Sequence, residues 1–223
     1  MSNAVHALLI AAFDEFHVSS ASFRAGTAAI CFGESGFVPH TELGYANTPN
    51  ARIRTIFGSR VAGLSDVSLT HLKSNDEAFF DVVYGGAWGA NNLGNAAAGD
   101  GYKYRGRGFN QLTGRGNYGY YGKLLGVDLL GDPDMVNDPT TAARLAVSYM
   151  LHRCAQSDDF ETMKRAVGNA VASTEAAKDA AYATFLASNE FGGVAVSATS
   201  VVGQLTTDEL NDASLAAAKL SEP

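Results

Sequence analysis

Two glutamates, Glu34 and Glu42, lie at the ends of the segment ESGFVPHTE and are the residues best suited to acid–base chemistry in this sequence. Hydrolysis of a glycosidic bond needs such a pair. One carboxylic acid protonates the departing oxygen, and the other carboxylate activates water or stabilises the cation. An inverting mechanism places the two carboxyl groups about 6.5–9.5 Å apart, which leaves room for the water. The Gly/Pro turn between the two residues is expected to place them on opposite walls of a cleft.

The two glutamates have different neighbours in the sequence. Those of Glu34 are mostly apolar, and they include Cys31, Phe32 and Phe37. Apolar surroundings disfavour an ionised carboxylate, so we expect Glu34 to be the proton donor. Glu42 has polar neighbours that favour its ionised form: His40, Thr41 and Tyr45. Two glutamates near a turn are also common on ordinary protein surfaces, so this pair alone does not establish a function.

A second segment, GDGYKYRGRGFNQLTGRGNY, spans residues 99–118. Its glycines let the backbone approach a ligand closely, and Tyr104 and Tyr118 offer flat faces for sugar rings. Gln111, Thr113 and Asn117 provide hydrogen-bond donors and acceptors. The segment is also the basic cluster of an acidic chain, with Lys103, Arg105, Arg107 and Arg115. It predicts a binding surface for an anionic glycan.

The stretch YRGRGFNQLTGRGNY resembles the signature of glycoside hydrolase family 19, in the bacteriophage endolysin branch of that family. GESGF resembles the family's His-Glu-Ser-Gly-Gly-Phe, and Glu42 matches the second glutamate. Three further stretches resemble the family: LGYANTPNARIRTIFGSR, AWGANNLGNAAAGDG and LGVDLLGDPDMVNDPTTAARLAVSYM. The resemblance covers residues 20–155 well and 156–190 weakly, and it does not extend to 191–223.

The resemblance implies a mainly α, lysozyme-like fold with two lobes, a substrate cleft and long loops. It also implies inverting hydrolysis of a β-1,4 bond between N-acetylated sugars, with peptidoglycan as the substrate of the phage members. Glu34 falls on the general acid, Glu42 on the second carboxylate and Thr113 on the hydroxyl that places the water. The positions expected to contact the sugar are Tyr104, Arg107, Gln111, Asn117, Tyr118 and Asn169.

Three positions depart from the family pattern. Gly33 stands where a histidine usually precedes the acid, and Asn110 stands where an apolar residue is usual. The spacing of about 22 residues between the glutamates of plant chitinases would place the second glutamate at Ile56. The first and third of these departures favour peptidoglycan over chitin as the substrate.

The sequence is also compatible with other functions. ESGFVP also resembles the acid motif of lytic transglycosylases, although those enzymes carry Gly-Leu-Met-Gln downstream and this chain has GFNQLTG. A chitinase is a second alternative. A non-catalytic glycan-binding or structural virion subunit is a third, of another class, but the presence of both glutamates argues against it.

The composition of the chain limits which partners and cofactors it is expected to bind. The chain has 223 residues, a formal charge of −7 and no run of Lys or Arg, so nucleic-acid binding has little support. No apolar stretch approaches the roughly 18 residues of a membrane span, and the N-terminus predicts an amphipathic helix instead of a signal peptide. The five histidines lack metal-ligand spacing, and no cofactor is expected. We expect synthesis in a host cytoplasm and action at the cell wall, with delivery by a holin or by virion and tail proteins.

Helical periodicity predicts the elements that position these residues. The expected helices span about 3–16, 21–33, 50–58, 75–84, 114–125, 139–154, 160–170 and 174–188, with a small one at 207–219. Residues 85–101 contain too many Gly and Asn for a regular element, and 102–113 are expected to hold a short extended piece. These elements suggest a catalytic domain at 1–190 and a C-terminal linker with a short helical appendage at 191–223. Cys31 and Cys154 are expected to be buried thiols.

Overall fold

The computed structural model describes residues 3–154, 157–167 and 172–193. The described part is mainly α-helical, which confirms the predicted fold class, and it contains one small antiparallel sheet in which His40 pairs with Gly108. The helices are α1 Asn3–Glu15, α2 Ala21–Ser35, α3 Asn50–Phe57, α4 Asp66–Leu72, α5 Asp76–Tyr84, α6 Gly86–Leu93, α7 Asp100–Lys103, α8 Arg115–Leu125, α9 Pro139–Cys154, α10 Phe160–Ala166 and α11 Ala172–Ser188. The strands are β1 His40–Thr41 and β2 Arg107–Gly108.

Helix α2 carries the first glutamate. Ser20 caps its start, where the hydroxyl accepts a hydrogen bond from the Phe23 N–H at 3.1 Å. Gly36 ends it in the left-handed region at φ 60°, which glycine adopts at low cost. The expected end at residue 33 is therefore wrong. The helix runs on through Gly33, so Glu34 lies in its last turn.

A large lobe forms around α2. The middle of α2 is buried from Phe23 to Cys31, and it packs against α9, α10 and α11. Helix α1 packs against α9 on the same core. Tyr104, Tyr118 and Leu125 form an adjoining cluster around α8, and Leu145 of α9 belongs to it. The lysozyme-like fold thus places its long helices in one lobe.

A small lobe contains helices α3 to α7. Its core is aromatic and aliphatic, with Ile53, Phe57, Phe79, Phe80 and Val83 all buried. The prediction that residues 85–101 form no regular element is wrong, because α6 occupies 86–93. The Asn and Gly residues of α6 are compatible with a helix because Leu93 is buried, the Trp88 ring packs against the Arg60 guanidinium, and Gly94, at φ 70°, ends the helix.

Most other expected helices are found near their predicted positions. Helix α9 begins as predicted, with Asp138 accepting a hydrogen bond from the Thr141 N–H at 2.9 Å and Pro139 in the first turn. Helix α11 starts two residues earlier than predicted, at Ala172. The predicted helix at 207–219 lies outside the described residues. Both cysteines are free and buried. Among the described residues, no helix is long and apolar enough to cross a membrane.

Candidate active site

Glu34 makes an ion pair with a lysine that is distant in sequence. Its Oε1 lies 2.6 Å from Nζ of Lys178 on α11, and its side chain is 35% exposed whereas that of Lys178 is 2% exposed. The expectation of apolar surroundings is therefore incomplete. Phe37 and Cys31 are buried nearby in sequence, but the carboxylate itself meets a buried ammonium group. That cation offsets the unfavourable position of a carboxylate at the negative C-terminal end of a helix.

The neighbouring thiol responds to the same charge. Burial raises the pKa of Cys31, and the negative charge of Glu34 raises it further. Cys31 therefore stays protonated. Its Sγ donates to Oδ1 of Asn110 at 3.7 Å. Asn110 thus connects the loop that follows β2 with α2. The contact on α2 is at Cys31, about one helical turn before Glu34.

Glu42 is held by four hydrogen-bond contacts. Tyr45 donates to Oε1 at 2.8 Å, and Tyr84 donates to Oε1 at 3.0 Å with Oε2 at 3.1 Å. The Gly106 N–H donates to Oε2 at 3.2 Å. Burial raises the pKa of Tyr84, and the charge of Glu42 raises it further, so the hydroxyl remains a donor. Donors are therefore directed at both oxygens of the Glu42 side chain.

The loop between Arg107 and Leu112 brings Gln111 to the same carboxylate. Arg107 and Leu112 exchange backbone hydrogen bonds at 3.2 and 2.8 Å, which closes a tight hairpin. Gln111 adopts φ 52°, a region in which non-glycine residues are uncommon and which recurs at functional sites. Its Nε2 donates to the carbonyls of His40 and Gly108, both at 3.1 Å. The amide oxygen is left to face Gly106 and Glu42.

Gly106 is the point at which these two side chains meet. A Cβ at this position would lie 2.8 Å from Oε1 of Gln111 and 3.1 Å from Oε2 of Glu42. The side-chain oxygens of Gln111 and Glu42 therefore both pack against the backbone of Gly106, which has no side chain. The hairpin contacts Glu42 on this side and, through Asn110, the helix of Glu34 on the other. The structure thus connects both glutamates to one segment of the glycine-rich motif.

Arg107 supports the motif and is not a surface group. It is 4% exposed, its Nε donates to Asp134 at 2.8 Å, and its Nη1 donates to the Lys103 carbonyl at 2.8 Å and to the Tyr118 hydroxyl at 3.1 Å. A buried guanidinium needs such partners. The prediction that Arg107 contacts the glycan is therefore wrong.

Tyr104 and Tyr118 are also core residues. They are 2% and 0% exposed, and their ring centroids are 5.3 Å apart. The Tyr104 hydroxyl donates to the Leu130 carbonyl at 3.2 Å, and the Tyr118 hydroxyl donates to the Arg105 carbonyl at 2.8 Å. With both faces and hydroxyls engaged, neither ring is available to stack on a sugar, which corrects that expectation.

The remaining predicted residues lie along the motif. Thr113 and Asn117 are half-buried. The Thr113 hydroxyl donates to the Gln111 carbonyl at 2.9 Å, and Asn117 donates to the Thr113 carbonyl at 2.7 Å. Their assignments as water-placing and sugar-contacting residues stay predictions. Asn169 lies outside the described residues.

Comparison with known proteins identifies the family. The family model described as "Chitinase class I", of glycoside hydrolase family 19, matches residues 87–215, which is more than half of the chain. The chain belongs to glycoside hydrolase family 19. A "Glycosyl hydrolase family 19 domain-containing protein" from Haemophilus influenzae is 37% identical over 81 residues, which are 35% of this chain and 40% of that relative. The aligned part thus spans well under half of the relative's length.

The family match covers the glycine-rich motif and leaves out both glutamates. It begins at residue 87, after Glu34 and Glu42, and it extends past residue 190. The assignment of catalytic roles to Glu34 and Glu42 in this family 19 protein therefore depends on the geometry above and on the local sequence resemblance. The domain boundary at 190 stays a prediction.

Three residues that complete the site were not singled out in the sequence. Lys178 pairs with Glu34, and Tyr84 donates to Glu42 from the end of α5. Arg60 lies behind Tyr84, with its guanidinium 4.2 Å from the centre of the Trp88 ring and 5.9 Å from that of Tyr84. Burial lowers the pKa of Arg60, and the nearby Tyr84 and Glu42 act in the opposite direction. No local pattern marks these residues, because each reaches its partner through the tertiary fold.

Proposed function

We propose that this protein is a peptidoglycan hydrolase of the muramidase, or lysozyme, type, which cleaves β-1,4 glycosidic bonds with inversion. The observation that carries the proposal is that two carboxylates connected to one hairpin have different hydrogen-bond and ion-pair partners. Glu42 accepts hydrogen bonds from three donor groups, whereas Glu34 makes a single ion-pair contact with its side chain partly open to solvent. Membership of a glycoside hydrolase family supports the reaction class.

The two glutamates have complementary roles in this proposal. Glu34 gives its proton to the glycosidic oxygen as the bond from the anomeric carbon to that oxygen breaks. Glu42 takes a proton from a water molecule, whose oxygen bonds to the anomeric carbon from the opposite face. Gln111 and Asn117 contact the sugar, and Thr113 helps to place the water. No metal or cofactor takes part.

The charges around the motif favour an anionic glycan. Lys103 is exposed, and Arg105 stacks on Tyr102 with its guanidinium 3.9 Å from the ring centre. Neither has a carboxylate partner among the described residues. In a chain with a formal charge of −7, such a cluster suits the carboxylates of muramic acid and of the peptide stems. Chitin, the neutral alternative named by the family description, offers no such groups.

Purified peptidoglycan distinguishes these possibilities. We expect the wild-type protein to release new reducing ends from sacculi, with muramic acid at the reducing end, and to act much more slowly on N-acetylglucosamine oligomers. The products are read by reduction with borohydride and mass spectrometry. Faster hydrolysis of the oligomers would make it a chitinase. Anhydro-muramic ends would make it a lytic transglycosylase, and binding without release would make it a glycan-binding subunit.

We further propose a bacteriophage setting, as a lysis endolysin or a virion-associated lysin. The protein is made in the host cytoplasm and reaches the wall with the help of a holin or of virion and tail proteins. Mass spectrometry of purified particles separates the two settings: its presence there indicates a virion-borne lysin, and its absence an endolysin.

Substitution of Gly106 tests the proposed meeting point of Glu42 and Gln111. In Gly106→Ala the new Cβ has to displace Oε1 of Gln111, 2.8 Å away, and crowds Oε2 of Glu42. A misplacement of about 1 Å can cost ~10²-fold in rate, so we expect kcat/KM on sacculi to fall by about 10- to 100-fold while Tm changes little. Gly63→Ala is the matched control, because nothing lies within 4 Å of its Cβ. Equal activity of the two variants would contradict this site geometry.

A further inference from the structure

A buried lysine connects the candidate acid to a second carboxylate on another helix. Lys178 lies on α11, and its Nζ is 2.6 Å from Oε1 of Glu34 and 2.9 Å from Oε1 of Glu175. The Glu175 side chain is 21% exposed. Burial acts to lower the pKa of Lys178, but the hydrogen bonds and charges of Glu34 and Glu175 outweigh it and raise the pKa. The lysine is therefore a permanent cation between two carboxylates.

The path of this lysine explains the glycine that precedes the acid. A Cβ on Gly33 would lie 2.3 Å from Cγ of Lys178, with Cδ and Cε close behind at 3.2 and 3.1 Å. Any side chain at position 33 would occupy the space through which the lysine stem passes. Gly33 stands where a histidine is usual in the motif that the sequence resembles. The position of the Lys178 side chain therefore requires a glycine at position 33.

We propose that Lys178 is a positioning residue for Glu34 and that, together with Glu175, it sets the pH range in which Glu34 carries the proton it donates. The inference rests on the proposed function, in which Glu34 is the general acid. Lys178 fixes one oxygen of Glu34, and in the proposed mechanism the other oxygen carries the proton. Glu175 is the competing carboxylate that shares the cation.

Removing the lysine and removing Glu175 should shift the pH at which Glu34 loses its proton in opposite directions. Two carboxylates and one ammonium carry a net charge of −1, so the array can accept one proton and become neutral. Removing the ammonium destabilises the ionised form of Glu34, which then keeps its proton to higher pH. Removing the charge of Glu175 takes away a repelling carboxylate and frees the cation for Glu34, which then loses its proton at lower pH. The array titrates as a coupled unit.

Other charged and titratable groups lie on the elements packed against α2. Glu34 raises the pKa of Cys31 and Tyr149, as a secondary cause after burial. Lys164 of α10 lies 3.7 Å from the other oxygen of Glu175 and pairs more closely with Glu161 and Asp179. On α9, Arg153 and Cys154 act electrostatically on Tyr149, as Glu34 does. Because Lys164 also contacts Glu175, the control is Lys73, which is 7% exposed and donates from Nζ to the Thr48 carbonyl.

The pH dependence of activity tests the proposal. The alkaline limb of the kcat/KM profile reports loss of the acid's proton. We expect Lys178→Met to move that limb up by roughly one to three pH units, and Glu175→Gln to move it down by less. Lys178→Arg keeps the charge and should leave the limb near its wild-type position. Lys73→Met removes a buried lysine that has no contact with the array and should lower Tm without moving the limb.

A second readout does not depend on catalysis. Glutamate carboxyl carbons are labelled with ¹³C and titrated by NMR, and the Glu34 signal is assigned by its loss in Glu34→Gln. The titration midpoint should rise in Lys178→Met and fall in Glu175→Gln. A folded Lys178→Met protein with an unchanged midpoint overturns the inference. If that variant does not fold, an unchanged midpoint in Glu175→Gln overturns it. Inactivity of the wild type on all glycans refutes the proposed function alone, because the midpoints are still measured.

Discussion

The Glu34→Gln protein should fold normally and lose nearly all hydrolysis of sacculi. The substitution keeps the shape of the side chain and removes the proton donor. General acid catalysis typically contributes ~10²–10⁴-fold, so kcat/KM should fall by at least that factor. Stability should change little, because the Glu34 side chain is 35% exposed and the glutamine oxygen can still accept from Lys178. Reducing-end release and thermal melting measure the two effects.

The control for this prediction is another glutamate paired with a buried lysine. Glu161 lies 2.8 Å from Nζ of Lys164 and is 61% exposed, so Glu161→Gln should keep wild-type activity. An aryl glycoside whose leaving group needs no protonation should be cleaved by Glu34→Gln with a much smaller loss. Near-normal activity of Glu34→Gln on sacculi, or an equal loss on both substrates, would show that Glu34 is not the proton donor.

Local sequence signals predicted the helices that begin at clear N-terminal capping residues. Asp138 and Pro139 mark the start of α9, and Ser20 caps the start of α2. The failure at α6 has a physical cause. Its glycines and asparagines have poor helix propensity, but the tertiary contacts of Trp88 and Leu93 and the left-handed Gly94 overcome that preference. Tertiary packing cannot be read from a window of neighbouring residues.

The sequence predicted which residues form the candidate site, but it predicted only some of the residues that contact them. The spacing of Glu34 and Glu42 and the composition of residues 99–118 indicated where to look. The partner of Glu34 is 144 positions away in the chain, at Lys178, and the fold alone brings them together. Arg107 and Tyr118 show the converse error, since polar and aromatic residues in a motif were expected at the surface and are buried supports.

The Glu42→Gln protein should lose activity to a similar extent and also lose stability. The carboxylate accepts from Tyr45, Tyr84 and the Gly106 N–H, which between them reach both oxygens. A carboxamide presents an NH₂ group to one of these donor sets, so at least one donor loses its acceptor. A half-buried unpaired donor costs about 1–3 kcal/mol, and loss of the base costs ~10²–10⁴-fold in rate. Melting curves and reducing-end release measure both, with Glu77→Gln, exposed in the first turn of α5, as the control.

Azide separates the role of Glu42 from that of Glu34. In Glu42→Ala the space left by the carboxylate admits a small anion that needs no base to act as nucleophile. Azide should therefore restore part of the rate and yield an α-glycosyl azide from a β-linked substrate, because attack comes from the face that water uses in an inverting enzyme. Azide should not restore the Glu34→Gln variant, whose deficit is protonation of the leaving group. A β-glycosyl azide from Glu42→Ala would point to a retaining path. No rescue, together with a small loss in Glu42→Gln, would reduce Glu42 to a structural anchor between Tyr45, Tyr84 and the Gly106 backbone.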